Sequence, residues 1–183
     1  MSVAISKSQI DRLGARLKRG DYTEADLRAL DEYRQSFRSA YEHVVHTIRE
    51  QIKLEPTGRP AKSTTSIVEK LQRETIRLSQ IQDIAGCRIL VNDLAGQDRI
   101  VRRLRKLFAD VSTIDRRRRP SHGYRAVHVV INEHGKPIEV QVRSKLQHLW
   151  AEVSERLSDV IDPGLKYGGG PADWQRSLLS VSD

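Results

Sequence analysis

Long apolar runs are missing from this 183-residue chain. No stretch approaches the roughly 20 residues of a membrane-spanning helix, and the opening Met-Ser-Val-Ala-Ile-Ser-Lys-Ser lacks the apolar centre of a secretion signal. The expectation is a cytoplasmic protein with no membrane partner. A single cysteine, Cys87, excludes an intrachain disulfide framework. It sits in an apolar run, where a small core residue is expected. Aromatic residues make up only 5% of the chain, so the core must be aliphatic. Acidic residues are outnumbered 24 to 32 by lysine and arginine, which leaves a formal charge of +8 and favours polyanionic partners, nucleotides or RNA. The glycine run at 168–170 has no strand before it and no lysine directly after it, so it reads as a connector rather than a phosphate-binding loop.

What is present is organised around residues 123–143. Apolar residues alternate on both sides of His134-Gly135, the pattern of a β-hairpin with a two-residue turn. Pairing Glu133 with Lys136 sets Val127 opposite Val142, Val129 opposite Val140 and Ile131 opposite Ile138. Those six residues share one face. The other carries Tyr124, His128, Glu139, Gln141 and Arg143. A one-residue slip would turn every valine to the polar side, so burial should hold the register. A ring, an imidazole, a carboxylate, an amide and a guanidinium on one side of two strands suit a charged substrate with a flat ring. The plain alternative is the solvated outer face of a sheet.

The flanking sequence predicts helices over 6–19 and from Thr23, capped by Asp26, to about residue 53. Lys62, Ser66 and Lys70 are spaced by four and share a helix face, a plausible phosphate site at a helix N-terminus or an ordinary cap with solvated lysines. The cap itself stays open between Ser63, Thr64 and Ser66. A buried-type strand at 87–91, a helix over 95–109 with Ile100, Val101, Leu104, Leu107 and Phe108 inward, and a strand at 111–114 follow. Arg116 to Arg119 form a basic loop into the hairpin. A helix over 145–160 is expected to face Leu146, Leu149, Trp150, Val153 and Leu157 to the core, with His148 and Glu152 one turn apart, and a short helix over 172–181 closes the chain. The order predicts an α/β layer fold with a mixed sheet: a helical segment over 1–55, a core over 56–160 and a loop with a short helix over 161–183.

Four ordered blocks then carry a resemblance: Lys62-x3-Ser66-x3-Lys70, Asp83-x4-Arg88, Gly123-Tyr124-Arg125-Ala126-Val127-His128, and Glu139-Val140-Gln141-Val142-Arg143. Over about residues 40–160 the chain resembles the synthetase domain of the RelA/SpoT homologues, and in length a small alarmone synthetase. The resemblance implies a nucleotidyltransferase-like mixed β-sheet flanked by helices, behind an N-terminal helical extension. It also implies transfer of the β,γ-pyrophosphate of ATP to the ribose 3′-hydroxyl of GDP or GTP. It assigns Arg59, Lys62, Ser66, Lys70 and Arg88 to ATP, and Asp83 and Glu139 to Mg²⁺ and catalysis. Arg119, Tyr124, His128, Gln141 and Arg143 fall to the acceptor side, with Tyr124 stacking on the base. Two blocks depart from the family pattern. Arg59-Pro60-Ala61-Lys62 replaces Arg-x-Lys, and after Arg119 the run Pro120-Ser121-His122-Gly123-Tyr124 is one residue shorter than Pro-Lys-x-Asn-Gly-Tyr and lacks its Lys and Asn. That loop faces the acceptor. Acceptor identity therefore stays open between a guanosine nucleotide, an adenosine nucleotide and, as in toxic members, the 3′-CCA end of tRNA. A non-catalytic nucleotide- or RNA-binding module is the further alternative. A second copy of the chain or an antitoxin are partners the resemblance allows, and no HD-type hydrolase block is present.

Overall fold

The computed structural model describes residues 5–182, without the side chain of Arg59. Three helices come first: α1 (Lys7–Arg19), α2 (Glu24–Gln35) and α3 (Arg38–Thr47), the last running into a π-helical turn at Ile48–Ile52. Then follow β1 (Thr57–Arg59), α4 (Thr64–Arg73), β2 (Ala85–Val91), α5 (Leu94–Leu107), β3 (Val111–Asp115), β4 (Val127–Glu133), β5 (Lys136–Ser144), α6 (Lys145–Val160) and α7 (Ala172–Ser180). Local chemistry sets the helix ends. Ser6 and Gln9 close a capping box on α1, Gly20 ends it at φ 75°, and Thr23 with Asp26 caps α2. The single helix expected from Thr23 to residue 53 is broken at Ser36-Phe37, where the Ser36 hydroxyl donates to the Tyr33 carbonyl at 2.6 Å and competes with the helical ladder.

The five strands lie in the order β1-β2-β5-β4-β3, with β2 and β5 parallel and the other neighbours antiparallel. The hairpin has the expected register, Val127–Val142, Val129–Val140 and Ile131–Ile138. Both turn residues, His134 and Gly135, have positive φ, as a two-residue turn matching strand twist requires. The six apolar residues are fully buried and join Val44, Val45 and Ile48 of the N-terminal helices and Ile100 and Leu104 of α5 in one core. Cys87 belongs to that core. The sheet is therefore a mixed, two-faced layer: α3 and α5 seal the apolar side, and the polar side is left for the site. Among the described residues no helix is long and apolar enough to cross a membrane.

Two expectations about buried faces are corrected. Leu107 of α5 is exposed. On α6, Leu146 and Leu149 are 78% and 58% exposed and Val153 is exposed as well, while Trp150 and Leu157 are only half-buried. The buried stripe is Ala151, Ser154 and Ser158. The reason is the junction. β5 ends at Ser144 and α6 begins at Lys145, so the strand's last residue serves as the helix cap and sets the helix rotation. Small residues then let α6 approach closely, and the Ser158 hydroxyl is satisfied by the Ser154 carbonyl at 2.7 Å.

Candidate active site

The polar face of the hairpin forms one wall of a cavity of about 590 Å³. Lys62 and Asp83 stand at one end, Arg88 and Arg143 line it further on, and Glu139 and Gln141 come from β5. Gly58 and Gly86 line it where neighbouring strands come too close for a side chain. A Cβ on Gly58 would stand 2.4 Å from the Gly86 carbonyl oxygen, and one on Gly86 would stand 2.6 Å from that of Glu139. Isolated glycines in strands signal such close approach.

At the first end, Ser63 is the N-cap of α4, so Ser66 falls in its first turn and Lys70 one turn further on. The lysines converge on Asp83 rather than on the Ser66 hydroxyl. Lys62 Nζ donates to Asp83 Oδ2 and Lys70 Nζ to Oδ1, each at 2.8 Å. Ser66 instead accepts from the Ser63 hydroxyl at 2.8 Å. Burial pushes the Asp83 carboxyl up, but the two ammonium charges and their hydrogen bonds outweigh it and hold the group at about 2.

The second carboxylate is held differently. Arg143 Nη2 donates to Tyr124 Oη at 2.9 Å and to Gln141 Oε1 at 2.8 Å. Tyr124 Oη lies 3.0 Å from His128 Nε2, and His128 Nδ1 lies 2.7 Å from Glu139 Oε1. Gln141 Nε2 donates to Glu139 Oε2 at 2.8 Å. With Tyr124 donating to Nε2 and Nδ1 donating to the carboxylate, the Tyr124 hydroxyl proton and the His128 ring proton each have an acceptor. Two chains thus leave one guanidinium nitrogen and meet on the two oxygens of Glu139. Burial raises the Glu139 carboxyl, but the His128 and Gln141 donors win, and it ends below its ordinary value; the charge of Asp83 acts the other way.

Arg88 and Arg143 make the cavity cationic. Among the described residues neither stands within 4 Å of a carboxylate, and the Nε of each is buried without a hydrogen-bond partner. Burial and then the Arg143 charge lower the Arg88 pKa. Guanidiniums that line a cavity with no carboxylate in contact favour an anionic occupant. Burial also pushes the Cys87 thiol at the cavity wall up to about 12, so it is no nucleophile.

The structure therefore brings Lys62, Lys70, Asp83, Arg88, Tyr124, His128, Glu139, Gln141 and Arg143 into one connected site, with Ser66 beside it. Tyr124 is not an open platform on both sides, since the Arg143 guanidinium sits 5.0 Å over its ring. Arg119 is exposed and does not line the cavity, and the Arg59 side chain lies outside the described residues. The shortened loop before Tyr124 folds on itself through paired Ser121–Tyr124 backbone hydrogen bonds. Gly123 there packs where a Cβ would stand 2.7 Å from the Trp150 ring. Glu155 of α6 lines the cavity and was missed; its spacing of three and seven from Glu152 and His148, which pair at 3.4 Å, was the available signal.

Two carboxylates on one cavity are a fair donor set for Mg²⁺, which is usually held by one or two protein carboxylates together with substrate phosphates and water. No group of three or more His, Cys, Asp or Glu among the described residues is arranged to hold a metal alone. The fit is thus to an ion shared with a phosphorylated ligand.

The family model described as "Region found in RelA / SpoT proteins" matches residues 58–158. An uncharacterised protein of Mycobacterium tuberculosis is 42% identical over 115 residues, which cover 61% of this chain and 42% of that protein. A GTP pyrophosphokinase of Photobacterium angustum is 28% identical over 140 residues, 70% of this chain and 18% of that enzyme. The chain thus spans less than half the length of these relatives. Among solved structures, the small alarmone synthetase 1 of Bacillus subtilis bound to its product pppGpp superposes with a TM-score of 0.61 at 24% identity, covering 87% of this chain and 90% of that one. That likeness is one of fold.

Proposed function

The chain belongs to the RelA/SpoT family, and from that premise we propose that it is an ATP-dependent pyrophosphokinase acting on the ribose 3′-hydroxyl of GDP or GTP. The family and the relatives named GTP pyrophosphokinase support a pyrophosphokinase-type enzyme. The observation that carries the finer reading is the pairing of two ionised carboxylates, Asp83 and Glu139, on one cationic cavity.

The reaction needs alignment, charge neutralisation and a proton acceptor. The acceptor's 3′-oxygen bonds to the β-phosphorus of ATP, the bond from that phosphorus to the α,β-bridging oxygen breaks, and AMP leaves. Lys62, Lys70 and Arg88 bind the phosphates, with Ser66 on the same side. Asp83 and Glu139 would hold Mg²⁺, which when bound neutralises phosphate charge. Glu139, ionised at neutral pH, takes the proton of the 3′-hydroxyl. His128 and Gln141 fix both its oxygens, and Arg143 with Tyr124 fixes them in turn.

The test is incubation with γ-labelled ATP and, separately, GDP, GTP, ATP and deacylated tRNA. Label in GDP or GTP is the expected result. Label in tRNA or an adenosine nucleotide would replace the acceptor while keeping the chemistry. Failure of transfer to all four would overturn the enzyme reading and leave a binding module.

A further inference from the structure

The positive charge of the protein is not spread evenly. Residues 94–119 carry nine cationic residues and three aspartates, a surplus of six out of the chain's +8. All three aspartates are engaged within the fold. Asp98 and Asp115 both pair with Arg117, at 2.8 and 2.7 Å, and Asp110 accepts from Asn132 at 2.8 Å. Arg103, though exposed, donates to the Gln51 carbonyl and to the Ile52 carbonyl at 3.4 Å, and Arg118 reaches Asp115 only at 3.8 Å. Among the described residues, Arg99, Arg102, Arg105, Lys106, Arg116 and Arg119 have no carboxylate within 4 Å, and all six are exposed.

Arg117 makes one surface of them. Its contact with Asp98 joins the 116–119 loop to α5, and its backbone carbonyl accepts from Arg125 Nη1 at 3.2 Å. Arg102 and Arg105 lie four and seven residues beyond Asp98, on the helix face that Arg117 touches. From Arg99 to Lys106 the helix rises about 10 Å, and the loop extends the row. α5 packs on the apolar side of the sheet, away from the polar face, and none of the cavity's lining residues falls between 94 and 119.

We propose that this α5–loop surface docks the phosphate backbone of RNA, independently of the transfer reaction. Eight of its nine cations are arginines, whose planar fork suits phosphate oxygens. A membrane surface fits less well, because the apolar side of α5, Ile100 and Leu104, is sealed in the core and has nothing to insert.

The test is anisotropy of a labelled single-stranded RNA of about 20 nucleotides, titrated with the protein across a salt series. Binding should fall with salt by about 0.7 log units per contacted phosphate per decade. Replacing Arg102, Arg105 and Lys106 together by Ala should weaken binding at least tenfold and flatten the slope by about 2. These are exposed helical positions where alanine favours the helix, and labelled-ATP transfer to a nucleotide should be unchanged. Excess inorganic pyrophosphate should leave the RNA bound. Wild-type affinity and slope in the triple variant would overturn the proposal. So would displacement by pyrophosphate, which would put RNA in the cavity, or equally tight binding of polyglutamate or phosphatidylserine vesicles.

Discussion

The two carboxylates of the cavity are ionised by opposite means. Asp83 is gripped by two ammonium groups on flexible stems, one oxygen each. Glu139 touches no permanent cation; its oxygens take hydrogen bonds from an imidazole and an amide, both steered by Arg143. The first arrangement is ionic and exchangeable, because a phosphate is an equally good partner for either lysine. The second is directional and rigid, and each link depends on the next. The difference assigns labour: the Asp83 end trades partners with a phosphorylated ligand, while the Glu139 end holds one oxygen geometry for the proton it accepts.

Removing either charge should have the largest effect. Glu139→Gln and Asp83→Asn should each cut transfer by roughly a thousandfold or more, read as initial rates of AMP release. Near-normal turnover in one of them would remove that carboxylate from the chemistry. The comparison sharpens one step further out. Arg143→Met disturbs chiefly the directional end, so kcat should drop about tenfold to a hundredfold while the KM for ATP changes far less. Lys70→Met disturbs the exchangeable end and should instead raise that KM by about tenfold. The reverse split would exchange the two roles.

A smaller effect is expected on stability. The Asp83 carboxyl sits at about 2 in the folded protein against 3.8 for the ordinary group. Its folded pKa is depressed, so its contribution is complete above the ordinary value and is lost as pH falls through about 2. Asp83→Asn should therefore cost about 2 kcal/mol near pH 6, and the gap to wild type should close below pH 4. Denaturant unfolding at several pH values measures this, and a gap that does not change with pH would mean the lysines do not hold the carboxylate.

The hairpin register was legible because period-2 burial permits one pairing only, and the glycine after His134 marked the turn. The blocks around Lys62, Asp83, Tyr124 and Glu139 were legible because spacing survives folding. Whom each side chain holds was not. Lys62 and Lys70 fit a hydroxyl as well as a carboxylate on paper, and only the loop that brings Asp83 up to α4 decides between them. The α6 face was misread for a related reason: Leu146, Leu149 and Val153 make an apolar stripe, but the direct β5–α6 junction turns it to solvent. Glu155 went with it, since its place on the cavity follows from that rotation.

The division of labour presupposes that the bond broken lies between the α- and β-phosphates. Chromatographic separation of the nucleotides left after incubation with ATP and GDP tests this most directly. One AMP should form for each acceptor nucleotide that gains two phosphates, and neither should form with Glu139→Gln. Release of ADP with a single phosphate transferred would contradict the account.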